Sequence, residues 1–274
     1  MASPWVEIGD RVVVRRYEFF DQNIVAVLGD HETLVLDTRT TGAQAREILD
    51  DLRLLGAPPV GIVVNSHGHY DHVFGNSVFR PVSIWGHVRC ASMIRETGER
   101  QRAGAAAELP EHAADLAMVV LDAPDHTFRE RAVICLGERE VQLVYLGRGH
   151  TDNDIVLRIE DAGADVLCAG DLLENHATPY FTDGYPLDWP ATVEALLAMT
   201  GPSTVVVPGH GDHEGRAFAE RSLDEIRSVV DAARLVHAGS VTIDEAIPLV
   251  RYPPETAREP IKRALAQLRG ELPG

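Results

Sequence analysis

At 274 residues, with 45% apolar and 24% charged side chains, the chain has the make-up of a globular protein large enough for one sizeable core. Its formal charge of −17 argues against nucleic acid or a membrane surface as main partner, since both demand cationic patches. Three widely spaced cysteines give no disulfide framework, the N-terminus lacks the regions of an export signal, and no stretch is long enough to span a bilayer, so a cytoplasmic location is expected.

In chain order, residues 11–16, 23–28 and 33–37 read as a strand meander. Residues 42–55 carry apolar side chains at helical spacing and stop at Gly56-Ala57-Pro58-Pro59. Strands are expected at 60–64 and 82–85, and a surface helix at 89–109. The middle of the chain predicts antiparallel strands at 118–121, 132–136, 140–146 and 155–159. Helices follow at 190–199, 215–236, 242–250 and 260–272, the first with proline in its opening turn. Two blocks of strands, each followed by helices, predict an α+β architecture: two mostly antiparallel sheets packed face to face with helices outside. Residues 1–214 would form the main domain. The helices of 215–274 either pack on it or mediate a homodimer.

Four times an apolar run stops at small residues and then delivers a histidine or aspartate. Ile62-Val63-Val64 leads to His67-Gly68-His69-Tyr70-Asp71-His72, and residues 141–146 lead through Gly147-Arg148-Gly149 to His150. Residues 166–170 end at Asp171, and Val205-Val206-Val207-Pro208-Gly209 ends at His210. In an extended segment alternate side chains share a side, so His67, His69 and Asp71 can point together, while His72 needs the chain to turn. Joined by His150, His67 and His69 would make a three-imidazole site that leaves zinc an open position. Asp71, His72 and His210 would make a second site, with Asp171 bridging the two. Two divalent ions there, zinc or else iron or manganese, would ionise a bridging water, and Asp71 is the expected catalytic residue that orients it and relays the proton.

These residues resemble the metallo-β-lactamase superfamily. The matching elements are His67-x-His69-x-Asp71-His72, Gly149-His150-Thr151, Ala169-Gly170-Asp171 and Pro208-Gly209-His210-Gly211, in the family's order, over most of the chain. The resemblance implies a four-layer αβ/βα sandwich with the metals at one edge of the sheets. It also implies hydrolysis of an ester, thioester, lactone or amide in a small-molecule substrate by a metal-bridging hydroxide. The β-lactamases of the cysteine-ligand subclass carry cysteine at the position of Asp171 and, three residues on, a lysine that grips the substrate carboxylate. Here that position is Glu174, so antibiotic hydrolysis is expected to be secondary at most. The ligand set is closer to glyoxalase II and the lactonase and thioesterase branches, although residues 172–176 lack the glyoxalase II loop. The alternative is an iron-dependent oxidative member, such as a persulfide dioxygenase. Those need only the first site, so retention of His72 and His210 favours hydrolysis.

For the substrate pocket, Phe19 and Phe20 lie where relatives carry a flap. The loop 175–189 offers His176, Tyr180, Phe181 and Tyr185.

Overall fold

The computed structural model describes residues 5–160 and 163–272. The first block holds β1 (Val6–Gly9), β2 (Val12–Tyr17), β3 (Gln22–Leu28), β4 (Thr33–Leu36), β5 (Val60–Val64), β6 (Ser83–His87) and β7 (His126–Phe128). These pair in chain order: antiparallel through β4, then parallel to the β7 edge. The second block is β8 (Arg131–Leu136), β9 (Arg139–Tyr145), β10 (Ile155–Ile159), β11 (Val166–Glu174) and β12 (Val205–His210). Its strands run antiparallel up to β11, which lies parallel to β12. The two half-sheets join along a seam between β12 and β3, where the register gives one pair, His210 with Gln22.

Between the half-sheets sits the central core. Val12, Val25, Val27, Leu34, Leu36 and Val64 face Leu136, Val141, Leu143, Ile155, Leu157 and Val207, with the Cys168 side chain buried among them. Alternation along each strand leaves the other side chains for outer layers. On the first half-sheet that layer is α1 (Gly42–Leu55), which buries Ala45, Ile48 and Leu52. The Thr41 side chain caps its start by accepting from the Gln44 N–H, and Gly56, left-handed at φ 79°, ends it. On the second it is α5 (Trp189–Ala198), α6 (Arg216–His237) and α8 (Arg258–Leu268), in one cluster with Val156, Leu167, Ala169 and Val206. Four layers result, as expected. Shorter pieces are α2 (Tyr70–Val73), α4 (Ala113–Ala117) and α7 (Ile243–Ala246). The long α3 (Val88–Glu108) buries Cys90, Ile94 and Ala105 against Val73, Phe74 and Leu116. No described helix is long and apolar enough to cross a membrane.

Two readings change. Residues 118–121 form no strand: they follow α4 as open chain, with Met118 80% and Val120 64% exposed. The strand that extends the sheet is β7, which starts five residues after Leu121 and runs parallel to β6. β1 was not expected; it pairs with β2 at the margin of the meander.

Candidate metal centre

The expected donors follow strands, open a short helix or lie within a strand, and they meet beside the seam. The segment after β5 supplies His67 and His69, and the first turn of α2 supplies Asp71 and His72, which is the turn that His72 requires. His150 follows β9, Asp171 lies within β11, and His210 closes β12. Gly209 leaves the room Asp171 needs, since a Cβ there would collide with Asp171 Oδ1.

The seven side chains converge as two groups. In one, His69 Nδ1 lies 3.0 Å from His67 Nε2 and 2.8 Å from His150 Nε2. In the other, His72 Nε2 lies 3.3 Å from His210 Nε2 and 3.3 Å from Asp71 Oδ2, and His210 Nε2 is 3.4 Å from Asp71 Oδ2. Donors about 2 Å from a tetrahedral zinc stand about 3.3 Å from one another, so the second group has that spacing and the first is slightly contracted. Asp171 lies between them. Its Oδ2 is 3.8 Å from His67 Nε2, 3.5 Å from His150 Nε2 and 3.4 Å from His210 Nε2, and its Oδ1 is 3.4 Å from His72 Nε2. Asp171 Oδ1 is buried without a hydrogen-bond partner. Five imidazoles and two carboxylates, with an orphaned buried oxygen among them, fit a pair of divalent ions.

The far nitrogens of the rings explain which lone pairs face inward. His72 donates from Nδ1 to Asp37 Oδ2 at 2.8 Å, and His69 from Nε2 to Asp183 Oδ2 at 2.8 Å. His210 donates from Nδ1 to the Phe20 carbonyl at 2.7 Å. His67 Nδ1 meets Ser66 Oγ at 3.0 Å, and that hydroxyl donates to Asp37 Oδ2 at 2.7 Å. Each outward bond takes up one ring nitrogen, so the nitrogen turned into the cluster is the one available to a metal. Asp37 thereby supports one ring in each group, from a left-handed backbone at φ 67°. His150 Nδ1 has no hydrogen-bond partner; its ring packs against Trp189, centroids 5.8 Å apart.

Charge follows the same division except at His69, where burial opposes the charged form but Asp183 raises the ring above its ordinary value. Burial holds His67 well below the usual imidazole range and takes His150 down to about 4, so both stay neutral donors. Burial also opposes charge on His72 and His210, but Asp171 and Asp71 outweigh it and raise both rings well above their ordinary value. Burial works against ionised Asp71 and Asp171 too, yet the neighbouring imidazoles keep both well below the carboxylate range. Burial and then Asp171 push Glu174 up to about 8.

The expected pocket residues divide. Phe20 is 37% exposed beside the site, at 6.1 Å from the Tyr70 ring, while Phe19 packs on Phe20 at 4.4 Å and on His112 at 4.8 Å. Tyr180 is exposed, with its ring 6.0 Å from His69. His176 instead pairs with Asp212 at the rim, 3.1 Å away. Phe181 is corrected to the core: it is buried against Trp189 and Tyr252, because the loop anchors itself through that ring. Tyr185 is buried too, under the Arg148 guanidinium at 4.5 Å. Asp37, Ser66 and Asp183 went unnoticed in the sequence. Asp37 had a signal, since it ends the apolar run Leu34-Val35-Leu36 as the other donors end theirs. Asp183, in a loop, had none.

The comparisons agree with this geometry. The family model described as metallo-beta-lactamase superfamily matches residues 17–210. A metallo-beta-lactamase type 2 from Bacteroides fragilis is 25% identical over 214 residues, covering 77% of each chain. One from Bacillus cereus is 23% identical over 207 residues, 73% of this chain and 72% of that protein. Among solved structures, a metallo-beta-lactamase from Pontibacter korlensis superposes with a TM-score of 0.64 at 19% identity, over 81% of this chain and 98% of that one. FIM-1 from Pseudomonas aeruginosa, in its mono-zinc form, gives 0.62 at 17%, over 81% and 94%. With the family model covering more than half of its length, the chain belongs to the metallo-β-lactamase superfamily.

Proposed function

We propose that this protein is a two-metal hydrolase that cleaves an ester, thioester, lactone or amide in a small-molecule substrate. The observation that carries the reading is Asp171, whose carboxylate lies within 3.8 Å of imidazole nitrogens from both donor groups. Two divalent ions, zinc or else iron or manganese, would supply Lewis acidity and a water ionised near neutral pH. His67, His69 and His150 would hold one ion; Asp71, His72 and His210 the other; Asp171 would touch both. The Asp71 side chain is 14% exposed and turns Oδ2 to the second group. Its carboxylate would accept a proton from the attacking water and pass it to the leaving group. Phe20, whose carbonyl accepts from His210, and Tyr180, with its ring 6.0 Å from His69, would exclude water from a bound acyl group. A β-lactam amide is a secondary candidate, suggested by the named relatives. The free cysteines Cys90, Cys135 and Cys168 fit a reducing compartment such as the cytoplasm.

Elemental analysis of protein purified without added metal, followed by a panel of thioesters, lactones and a chromogenic cephalosporin, tests the reading. Asp171→Ala should reduce the bound ions to one or none and lower turnover by about a thousandfold or more. Full activity with a single tightly held ion would end the two-metal reading.

A further inference from the structure

The segment that carries His67, His69, Asp71 and His72 lies against one face of α3. Met93, Thr97 and Gln101 stand four residues apart on that helix, so they share a side of it. Gly68 lets this side approach closely, since a Cβ there would come within 2.9 Å of Met93 Sδ. The Thr97 hydroxyl donates to the Met93 carbonyl at 2.8 Å, and Gln101 Nε2 donates to Thr97 Oγ1 at 2.9 Å, which fixes the carboxamide. The same Nε2 donates to the Gly68 carbonyl at 3.0 Å, and Gln101 Oε1 accepts from the Tyr70 N–H at 2.9 Å. The two backbone groups engaged in this way flank His69.

His69 sits where extended chain becomes α2. It is the N-cap of that helix, with φ −77° and ψ 149°, yet its side chain makes no capping bond. The ring is committed elsewhere: Nδ1 faces His67 and His150, and Nε2 faces Asp183. The opening N–H groups of a helix then need an acceptor from outside it, and Gln101 supplies one for Tyr70. Past the junction, other residues hold α2. Gln22 donates to the Asp71 carbonyl at 2.7 Å, and the Thr38 N–H donates to the His72 carbonyl at 2.8 Å. Asp71 and His72 are thus fastened independently, whereas the backbone groups on either side of His69 share one carboxamide. We propose that Gln101 is a positioning residue of the metal centre, which holds His69 as a donor to the ion of His67, His69 and His150. The inference deepens the two-metal reading and rests on it for that ion. No covalent step is added: Gln101 acts through the backbone around His69.

Two variants test this. Gln101→Met keeps the length of the side chain and removes both bonds, while Gln101→Glu keeps the acceptor for Tyr70 and loses the donor to Gly68. In metal-free protein the Tyr70 amide should exchange its hydrogen about tenfold or more faster in Gln101→Met and stay protected in Gln101→Glu. Stepwise zinc affinity, read by competition with a chromogenic chelator, should fall about tenfold or more for one ion in Gln101→Met. The other ion should be unaffected, and Gln101→Glu should lie between. Imidazole 15N shifts, which move when a ring binds metal, should identify the weakened ion as the one at His69. An unchanged Tyr70 exchange rate would overturn the proposal. So would two unchanged affinities, equal weakening of both ions (the mark of a merely structural residue), or loss confined to His72 and His210. A single ion bound by every variant would remove the two-metal reading and still decide the role of Gln101. Weaker binding of that ion in Gln101→Met, with the His69 shift reduced, would uphold it, and unaltered binding would overturn it.

Discussion

A single carboxylate, Asp37, holds both donor groups at once: His72 directly and His67 through the Ser66 hydroxyl. Asp183 holds His69 alone. Loss of such an outer partner weakens metal affinity by about 10- to 100-fold, because the ring then loses its fixed tautomer and orientation. Asp183→Asn should therefore weaken one ion by that factor and leave the other unaffected. Asp37→Asn should weaken both. Competition with a chromogenic chelator, titrated to two equivalents, distinguishes the patterns; a Asp37→Asn protein that loses affinity at one site only would contradict this geometry. The meeting of these seven side chains was readable in the sequence, because each follows an apolar run that leads to the same sheet edge. Their supports were less so. Asp183 comes from a loop whose path depends on Phe181 and Tyr185 packing elsewhere, and no local periodicity encodes that.

Among the elements, the seam between β3 and β12 is the most consequential. Beyond the one register pair, Asn23 spans it by donating from Nδ2 to the Pro208 carbonyl at 3.0 Å and the Gly211 carbonyl at 2.7 Å. The Gln22 carboxamide donates to the Asp71 carbonyl at 2.7 Å, tying the same strand to the α2 donors. Asn23→Leu strips two buried carbonyls of their donor and should cost about 2–4 kcal/mol, read as a shifted urea midpoint in metal-free protein. An unshifted midpoint would show that the clamp is redundant. The elements were mostly legible because core strands and amphipathic helices carry period-2 and period-3.6 patterns. Two failures have physical causes. The apolar run at 118–121 finds no strand partner, so propensity alone misplaces it, and the register slip of β11 against β12 between Gly170 and Glu174 is a pairing property that its own side chains do not display.

For the molecule as a whole, the helices that follow the family match are part of its core. Phe218, Ile226, Val229, Ile261 and Leu265 share one buried cluster with Val156, Leu167, Trp189 and Val206. The sequence left those helices with two roles, packing or dimerisation. The described contacts place their apolar faces against the second half-sheet. Ile261→Ala removes a fully buried side chain and should cost about 2–5 kcal/mol in global unfolding, measured by urea denaturation. A cost near zero would mean that α8 is a detachable appendage.

The donors are divided between the two halves of the sandwich: four come from the first strand block and three from the second. Neither half alone can complete the cage, so ions held as proposed would rivet together slabs that backbone pairing stitches at one point. Metal supply would then govern more than turnover. In a starved cell the shared apolar core would still hold the two half-sheets together, and loading would add an ionic fastening at their edge, so nutritional state would be written into mechanical rigidity.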